Sequence, residues 1–274
     1  MLENFFKYQS LGNDFIIFDL FKKPNFYVQQ ALDKIDLQNF TRKLCKRNFG
    51  IGADGVLILK TNQEHRLPEV LVFNSDGSHG QVCLNGLRCI ANFLYTNYKL
   101  PQNFNIKMSN KIVACSIEGS EPFSITSRIE PANYIKEHSI KIDNKNFTGH
   151  IIDIGNPHFV ITEKIDSDWL SKNGQKIETH KEFANKTNVE FIWPEDDSQE
   201  FNMLVYERGC GITLACSSGA TAAIWTLFKL NKIKKEEKIK INMPGGQITG
   251  WLDNDSNILL QAQSHFVFKG EINF

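Results

Sequence analysis

One stretch of this chain occurs twice. Leu71-Val72-Phe73-Asn74 leads in nine residues to Cys83, and Leu204-Val205-Tyr206-Glu207 leads in nine residues to Cys216, 133 residues later. Three residues after each cysteine stands a glycine, Gly86 or Gly219. Leu87, Ile90, Ala91, Leu94 and Tyr95 then answer Ala220, Ala223, Ile224, Leu227 and Phe228, at offsets 0, 3, 4, 7 and 8 that make one helical face. A duplicated strand–loop–cysteine–helix unit predicts a pseudo-twofold protein with one thiol per half. Halves that face each other would bring two thiols to one ligand, an arrangement suited to acting on both faces of a single carbon.

The duplication reaches further. Leu11-Gly12-Asn13-Asp14-Phe15-Ile16-Ile17 is echoed by Ile154-Gly155-Asn156-Pro157-His158-Phe159-Val160, and Ile106-Lys107-Met108 by Ile241-Asn242-Met243. The period far exceeds the roughly 20–50 residues of solenoid units, so two homologous domains are expected. A length of 274 residues suits two domains of roughly 130 each.

Thirty-one basic and 31 acidic side chains cancel, which gives no overall pull toward nucleic acid or an anionic membrane. Lys232, Lys234, Lys235, Lys238 and Lys240 cluster, but Glu236 and Glu237 interrupt them, as in a solvated helix end and loop. No run approaches the ~18 apolar residues of a membrane span, and Met1-Leu2-Glu3-Asn4-Phe5 lacks a signal-peptide pattern. A cytosolic address is expected. The cysteines at 45, 83, 89, 115, 210 and 216 contain no CxxC pair, so no zinc site is indicated and reduced thiols are expected.

Short apolar strands are read at 15–19, 55–60 and 70–74, with a hairpin loop at 62–69 and a helix at 84–98. The second half repeats this: strands at 150–154, 159–163, 188–193 and 202–206, a polar helical stretch near 166–184, an acidic turn at 194–197 and a helix at 218–230. Each half is mostly strand with one long central helix, an α+β layout. Glycine, serine and proline cluster at 118–123, a candidate boundary.

Helices that open just after the cysteines present free backbone N–H groups and a partial positive charge. A substrate carboxylate can dock there. The same field is expected to pull a thiol pKa below about 8.5. One thiolate could then remove a proton while a thiol on the opposite face returns another. Cys45, Cys89 and Cys115 read as inert packing. A non-catalytic amino-acid-binding or thiol redox protein remains open at this level.

At these residues the chain resembles diaminopimelate epimerases over essentially its whole length. The resemblance rests on Gly12-Asn13-Asp14-Phe15, Gly50-Ile51-Gly52-Ala53-Asp54-Gly55, and Asn74-Ser75-Asp76-Gly77-Ser78 leading to Cys83-Leu84-Asn85-Gly86-Leu87-Arg88-Cys89. It continues through Gly155-Asn156-Pro157-His158, Asn188-Val189-Glu190-Phe191, Glu207-Arg208-Gly209 and Leu214-Ala215-Cys216-Ser217-Ser218-Gly219. It implies two domains, each a β-barrel-like sheet around a central helix, with the active site in the cleft between them. The domains would be 1–121 with a returning segment 264–274, and 122–263. It implies isomerase activity on LL- and meso-diaminopimelate in lysine and peptidoglycan precursor synthesis, without cofactor or metal, in a homodimer. Cys83 and Cys216 would be the bases, and His158 and Glu207 would tune them. Asn13, Asn74, Asn156, Asn188, Glu207 and Arg208 would contact substrate, as would Leu84, Asn85, Ser217 and Ser218 at the helix openings.

The chain departs from the family's pattern at four places. Leu84 and Ser217 stand where glycine usually follows each catalytic cysteine, which suits helical φ but not φ > 0. Ile212 stands at a common glutamate, and Phe268 at a tyrosine of the family's dimer contact. These changes keep a racemase of another amino acid on the same fold as the alternative.

Overall fold

The computed structural model describes residues 2–80, 82–195 and 199–273. The chain divides into two compact units, unit 1 comprising Met1–Ser127 with Ala262–Phe274 and unit 2 comprising Arg128–Gln261. The boundaries expected at 121/122 and 263/264 fall a few residues away, because strands rather than the glycine- and serine-rich segment occupy the points of division. Asp196 and Asp197 of the expected acidic turn lie outside the described residues.

Unit 1 runs β1 (Leu2–Ser10), β2 (Asn13–Asp19), α1 (Asn25–Asp33), α2 (Leu37–Cys45), β3 (Gly55–Thr61), β4 (Pro68–Asn74), α3 (Leu84–Tyr98), β5 (Asn103–Met108), β6 (Lys111–Glu118) and β7 (Ser124–Ile129). Unit 2 follows with β8 (Asn133–Ile142), β9 (Lys145–Asp153), β10 (Pro157–Ile161), α4 (Ser167–Glu178), β11 (Asn188–Pro194), β12 (Glu200–Glu207), β13 (Gly211–Ile212) and α5 (Ser217–Lys229). It closes with β14 (Ile239–Met243), β15 (Gly246–Leu252) and β16 (Ile258–Gln263), and β17 (His265–Asn273) returns to unit 1.

The duplication is visible in the hydrogen bonding. Unit 1 pairs its strands β17–β1–β2–β3–β4–β5–β6, and unit 2 pairs β8–β9–β10–β11–β12–β14–β15. In both, the successive pairs are antiparallel, antiparallel, parallel, antiparallel, parallel and antiparallel. A parallel pair cannot be joined by a hairpin and needs a crossover. The cysteine-led helices are two of these crossovers: α3 carries the chain from β4 to β5, and α5 from β12 to β14. The other two are α1–α2, between β2 and β3, and α4, between β10 and β11.

The central helices are buried more completely than one amphipathic face implies. Every residue from Leu84 to Leu94 is buried, because α3 touches β1, β2, β3, β5, β6 and β17. In α5, Gly219 to Leu227 are likewise buried, against β9, β10, β11 and β15. A helix enclosed on all sides needs its polar residues satisfied. Asn92 donates to the Ser264 carbonyl, Thr221 to that of Ser217, and Thr226 to that of Ala222.

The sequence reading left α1 and α2 unassigned. In α2 the signal was present: Asp36 caps the backbone N–H of Asn39, and Leu37, Phe40, Thr41, Leu44 and Cys45 repeat the offsets 0, 3, 4, 7 and 8.

The repeated glycines mark where each helix's first turn meets the sheet. A Cβ on Gly86 would sit 3.2 Å from both Leu57 methyls, whereas one on Gly219 would sit 2.8 Å from Glu190 Oε1. Alanine is the better helix former by about 1 kcal/mol. The Leu57 methyls can yield, so Gly86→Ala is expected to change stability by less than about 1 kcal/mol. Glu190 is wholly buried and hydrogen-bonded to His158, so strain of about 1–3 kcal/mol at Gly219→Ala outweighs the helix preference. Denaturant unfolding of both variants checks this, and equal effects would refute the account.

Candidate active site

Both cysteines occupy the N-cap of their helix in the same extended conformation, Cys83 at φ −112, ψ 102 and Cys216 at φ −127, ψ 109. Leu84 and Ser217 are the first helical residues, buried and without positive φ, so the backbone N–H groups of the first turn keep ordinary helical geometry despite the missing glycines.

Unit 2 gathers a charged cluster behind Cys216. The Cys216 Sγ accepts from the Gly219 N–H at 3.3 Å and lies 3.2 Å from Ser218 Oγ. The Glu207 side chain reaches Cys216 and accepts from Thr213 Oγ1 at 2.5 Å. Beneath them His158 Nδ1 lies 2.7 Å from Glu190 Oε1, both side chains wholly buried. His158 Nε2 and Glu190 Oε2 are buried without a hydrogen-bond partner among the described residues.

Burial, followed by the carboxylates of Glu207 and Glu190, raises the Cys216 pKa well above the thiol value; the bonds from Ser218 and Gly219 oppose this only in part. The expected depression is therefore overturned: the helix end does favour thiolate, but burial beside two carboxylates outweighs it. Cys216 is a protonated thiol here, which suits a proton donor. Glu207 is raised as well, by burial first and also by Glu190, against the lowering from Thr213, Cys216 and His158. Elsewhere burial pushes Cys45 up to about 11 and Cys89 and Cys115 each up to about 12, in keeping with inert packing.

The Asn188 side chain accepts from the Arg208 N–H at 3.0 Å and donates to the Pro157 carbonyl at 2.9 Å. It thereby ties the starts of β10 and β11 to the turn after β12. Glu178 holds the same turn through the Gly209 N–H, and the exposed Arg208 guanidinium reaches the Asn185 carbonyl at 3.2 Å. Asn156 is half-buried in the turn before β10.

Unit 1 builds its cluster on amides. The half-buried Cys83 donates its N–H to Met108 Sδ at 3.2 Å. Asn85 donates to Asn13 Oδ1 at 3.3 Å, and Asn13 donates to Asp54 Oδ2 at 2.8 Å. Asp54 and Asp14 exchange backbone-to-carboxylate bonds, and Arg47 bridges both. Asn74 is exposed, bonded to Ser78 Oγ at 3.0 Å in a loop that Asp54 also holds through the Ser75 N–H.

Sequence reasoning gave no role to Glu190, Thr213 or Asp54. Glu190 carried a usable signal, a lone carboxylate inside the otherwise apolar Val189–Trp193 run, a place where charge persists only when paired. Asp54 stood in a quoted motif, but its partners come from β2 and from Arg47, whose proximity no spacing reveals.

A family model for diaminopimelate epimerase matches residues 5–135 and 150–263. A diaminopimelate epimerase of Prochlorococcus marinus (strain NATL2A) is 33% identical over 290 residues, covering 100% of each chain. One of Halothermothrix orenii is 31% identical over 292 residues, covering 98% of this chain and 97% of its own. Among solved structures, a hydroxyproline epimerase from Agrobacterium vitis is 12% identical with a TM-score of 0.75, covering 99% of this chain and 92% of that one. Two like units, each with a cysteine capping its central helix, are thus the architecture of an isomerase with the epimerase and racemase fold. The chain belongs to the diaminopimelate epimerase family.

The electrostatics behind Cys216 give a direct expectation. Glu207→Gln removes the nearest carboxylate, so the Cys216 pKa falls and its alkylation at pH 8 quickens. Mass-spectrometric rates for the Cys216 peptide against pH measure this; an unshifted or alkaline-shifted profile would refute the role of Glu207.

Proposed function

We propose that this protein interconverts LL- and meso-diaminopimelate by 1,1-proton transfer, with Cys83 and Cys216 as the two bases. The supporting observation is that each duplicated unit ends its cysteine-bearing loop with the thiol at the N-cap of a buried central helix. In one direction the Cys83 thiolate takes the α-proton and the Cys216 thiol delivers its own to the opposite face; the reverse direction exchanges the roles. The electron pair left on carbon spreads into the substrate carboxylate, which the first-turn N–H groups of Leu84, Asn85, Ser217 and Ser218 receive. Asn13 and Asn156 hold the reacting end. Arg208, with Asn74 and Asn188, holds the distal amino-acid end, and its guanidinium forks onto that carboxylate.

The raised Cys216 pKa supports the donor role, and the buried His158–Glu190 pair packs behind it. The reaction needs no cofactor. It belongs to lysine and peptidoglycan precursor synthesis in the cytoplasm, a compartment that keeps such thiols reduced. The reading includes a homodimer. Phe266, Val267 and Phe268 stand half-exposed in a row on β17, where a register shift against Lys7 and Tyr8 breaks the strand's alternation.

Deuterium incorporation from D₂O into LL-diaminopimelate, set beside single-centre amino acids, tests the substrate and separates this reading from a racemase of another amino acid. Cys83→Ala and Cys216→Ala should each lose epimerisation by orders of magnitude, while Cys115→Ala should be mild. Arg208→Met should weaken diaminopimelate by roughly ten- to a hundred-fold, the worth of one charge-assisted hydrogen bond. Near-normal turnover in either active-cysteine variant would defeat the two-base assignment.

A further inference from the structure

An asparagine amide has an oxygen and an NH₂ group of nearly equal size, so packing alone does not decide which end faces a substrate. Hydrogen-bond partners decide it. In unit 1 four side chains form a relay: Arg88 Nη2 donates to Asn85 Oδ1, Asn85 Nδ2 to Asn13 Oδ1, and Asn13 Nδ2 to Asp54 Oδ2. The two ends are chemically opposite. A guanidinium can only donate. At the far end Asp54 is surrounded by donors, its Oδ2 also accepting the Asp14 N–H and its Oδ1 pairing with Arg47. Neither end can reverse, so neither amide between them can.

The geometry points to Arg88 and Asp54 as positioning residues that fix, from opposite ends, which face of Asn13 and of Asn85 is offered to the substrate. The inference rests on the reading of those asparagines as substrate contacts. It explains why a wholly buried arginine lies beneath the first turn of α3, where burial otherwise disfavours charge. Burial pulls the Arg88 pKa down to about 10, which still leaves it cationic at neutral pH. Its Nε donates to Ser10 Oγ at 2.8 Å, and Ser10 in turn donates to the Gln263 carbonyl, so the guanidinium is anchored between β1 and the returning chain. The acidic end is equally braced. Asp14, held below the usual carboxylate range by Arg47 and Lys7 despite burial, accepts the Asp54 N–H and keeps its carboxylate in place.

Each amide spends one donor and one acceptor on the relay. Asn13 therefore presents its remaining N–H and lone pair in one fixed arrangement. A flipped amide would set donor against donor where a substrate ammonium or carboxylate is met.

The test compares variants that keep or lose one-way hydrogen bonding. Arg88→Lys retains a donor-only cation. Arg88→Gln can either donate or accept, and so can Asp54→Asn at the partly exposed far end. With diaminopimelate as substrate, both neutral variants should raise KM about tenfold with kcat changed much less, and Arg88→Lys should stay near wild type. Ser10→Ala removes the other Arg88 acceptor but keeps the one-way bond to Asn85; it should lower the Tm and raise KM less than the neutral variants do. Side-chain amide ¹⁵N–¹H signals, assigned with Asn13→Asp and Asn85→Asp, should shift or broaden in Arg88→Gln and Asp54→Asn alone. Wild-type KM and amide signals in a neutral variant would overturn the inference, as would Arg88→Lys behaving no better than Arg88→Gln. If Arg88→Gln fails to fold, Asp54→Asn decides. A wild-type enzyme that does not turn over diaminopimelate would refute the proposed function instead, and the amide signals would still judge the relay.

Discussion

Each unit depends on the crossover that joins two parallel strands. Parallel neighbours must be linked by a chain that leaves the sheet and returns, and here the link is a helix enclosed by the strands it connects. Enclosure fixes where the helix starts, because its first turn passes close to the sheet, tightly enough at Gly219 to exclude a Cβ and less tightly at Gly86. The residue just before that turn has extended backbone and is a cysteine in both units. The positions of both thiols and of the first-turn N–H groups follow from that one placement.

On this common frame the side chains packed against the starts of the two central helices differ in charge. Beneath the first turn of α3 lies the Arg88 guanidinium, whose field includes the Cys83 thiol. Behind the first turn of α5 lie Glu190 and Glu207, and they add to burial in driving the Cys216 thiol toward its protonated form. Duplication therefore preserved geometry while the electrostatics around the two cysteines diverged.

The parts of this arrangement that are local in sequence were legible. The helix at 84–98 was read to the residue, because its register, its leading cysteine and its glycine are contiguous. The two-domain α+β class followed from the echo itself. What escaped depends on contacts between distant segments. The Cys216 pKa was expected to fall because a helix end is a local feature, and it rises because the thiol is itself buried, beside Glu207 from β12 and Glu190 from β11. The full enclosure of α3 and α5 was likewise hidden, since residues such as Asn92 and Arg88 look solvent-facing until their partners, Ser264 before β17 and Ser10 at the end of β1, are known. Helix α2 is a different case: its cap and periodicity are present in the sequence, but its residues lie outside the segments that echo between the halves.

The return of β17 makes unit 1 discontinuous, while unit 2 is a single uninterrupted segment. On the ribosome the order of completion is consequently inverted. The strands that build unit 2 are all synthesised before β17 exists, whereas β1 waits for its outer neighbour until β17 emerges. Until then the edge of β1 is unpaired, and Phe5 and Tyr8 lack the rings of Phe268 and Phe266 that later pack against them. The nascent amino-terminal half thus carries an open strand edge for most of its synthesis, a period in which chaperones or unwanted strand pairing compete for it.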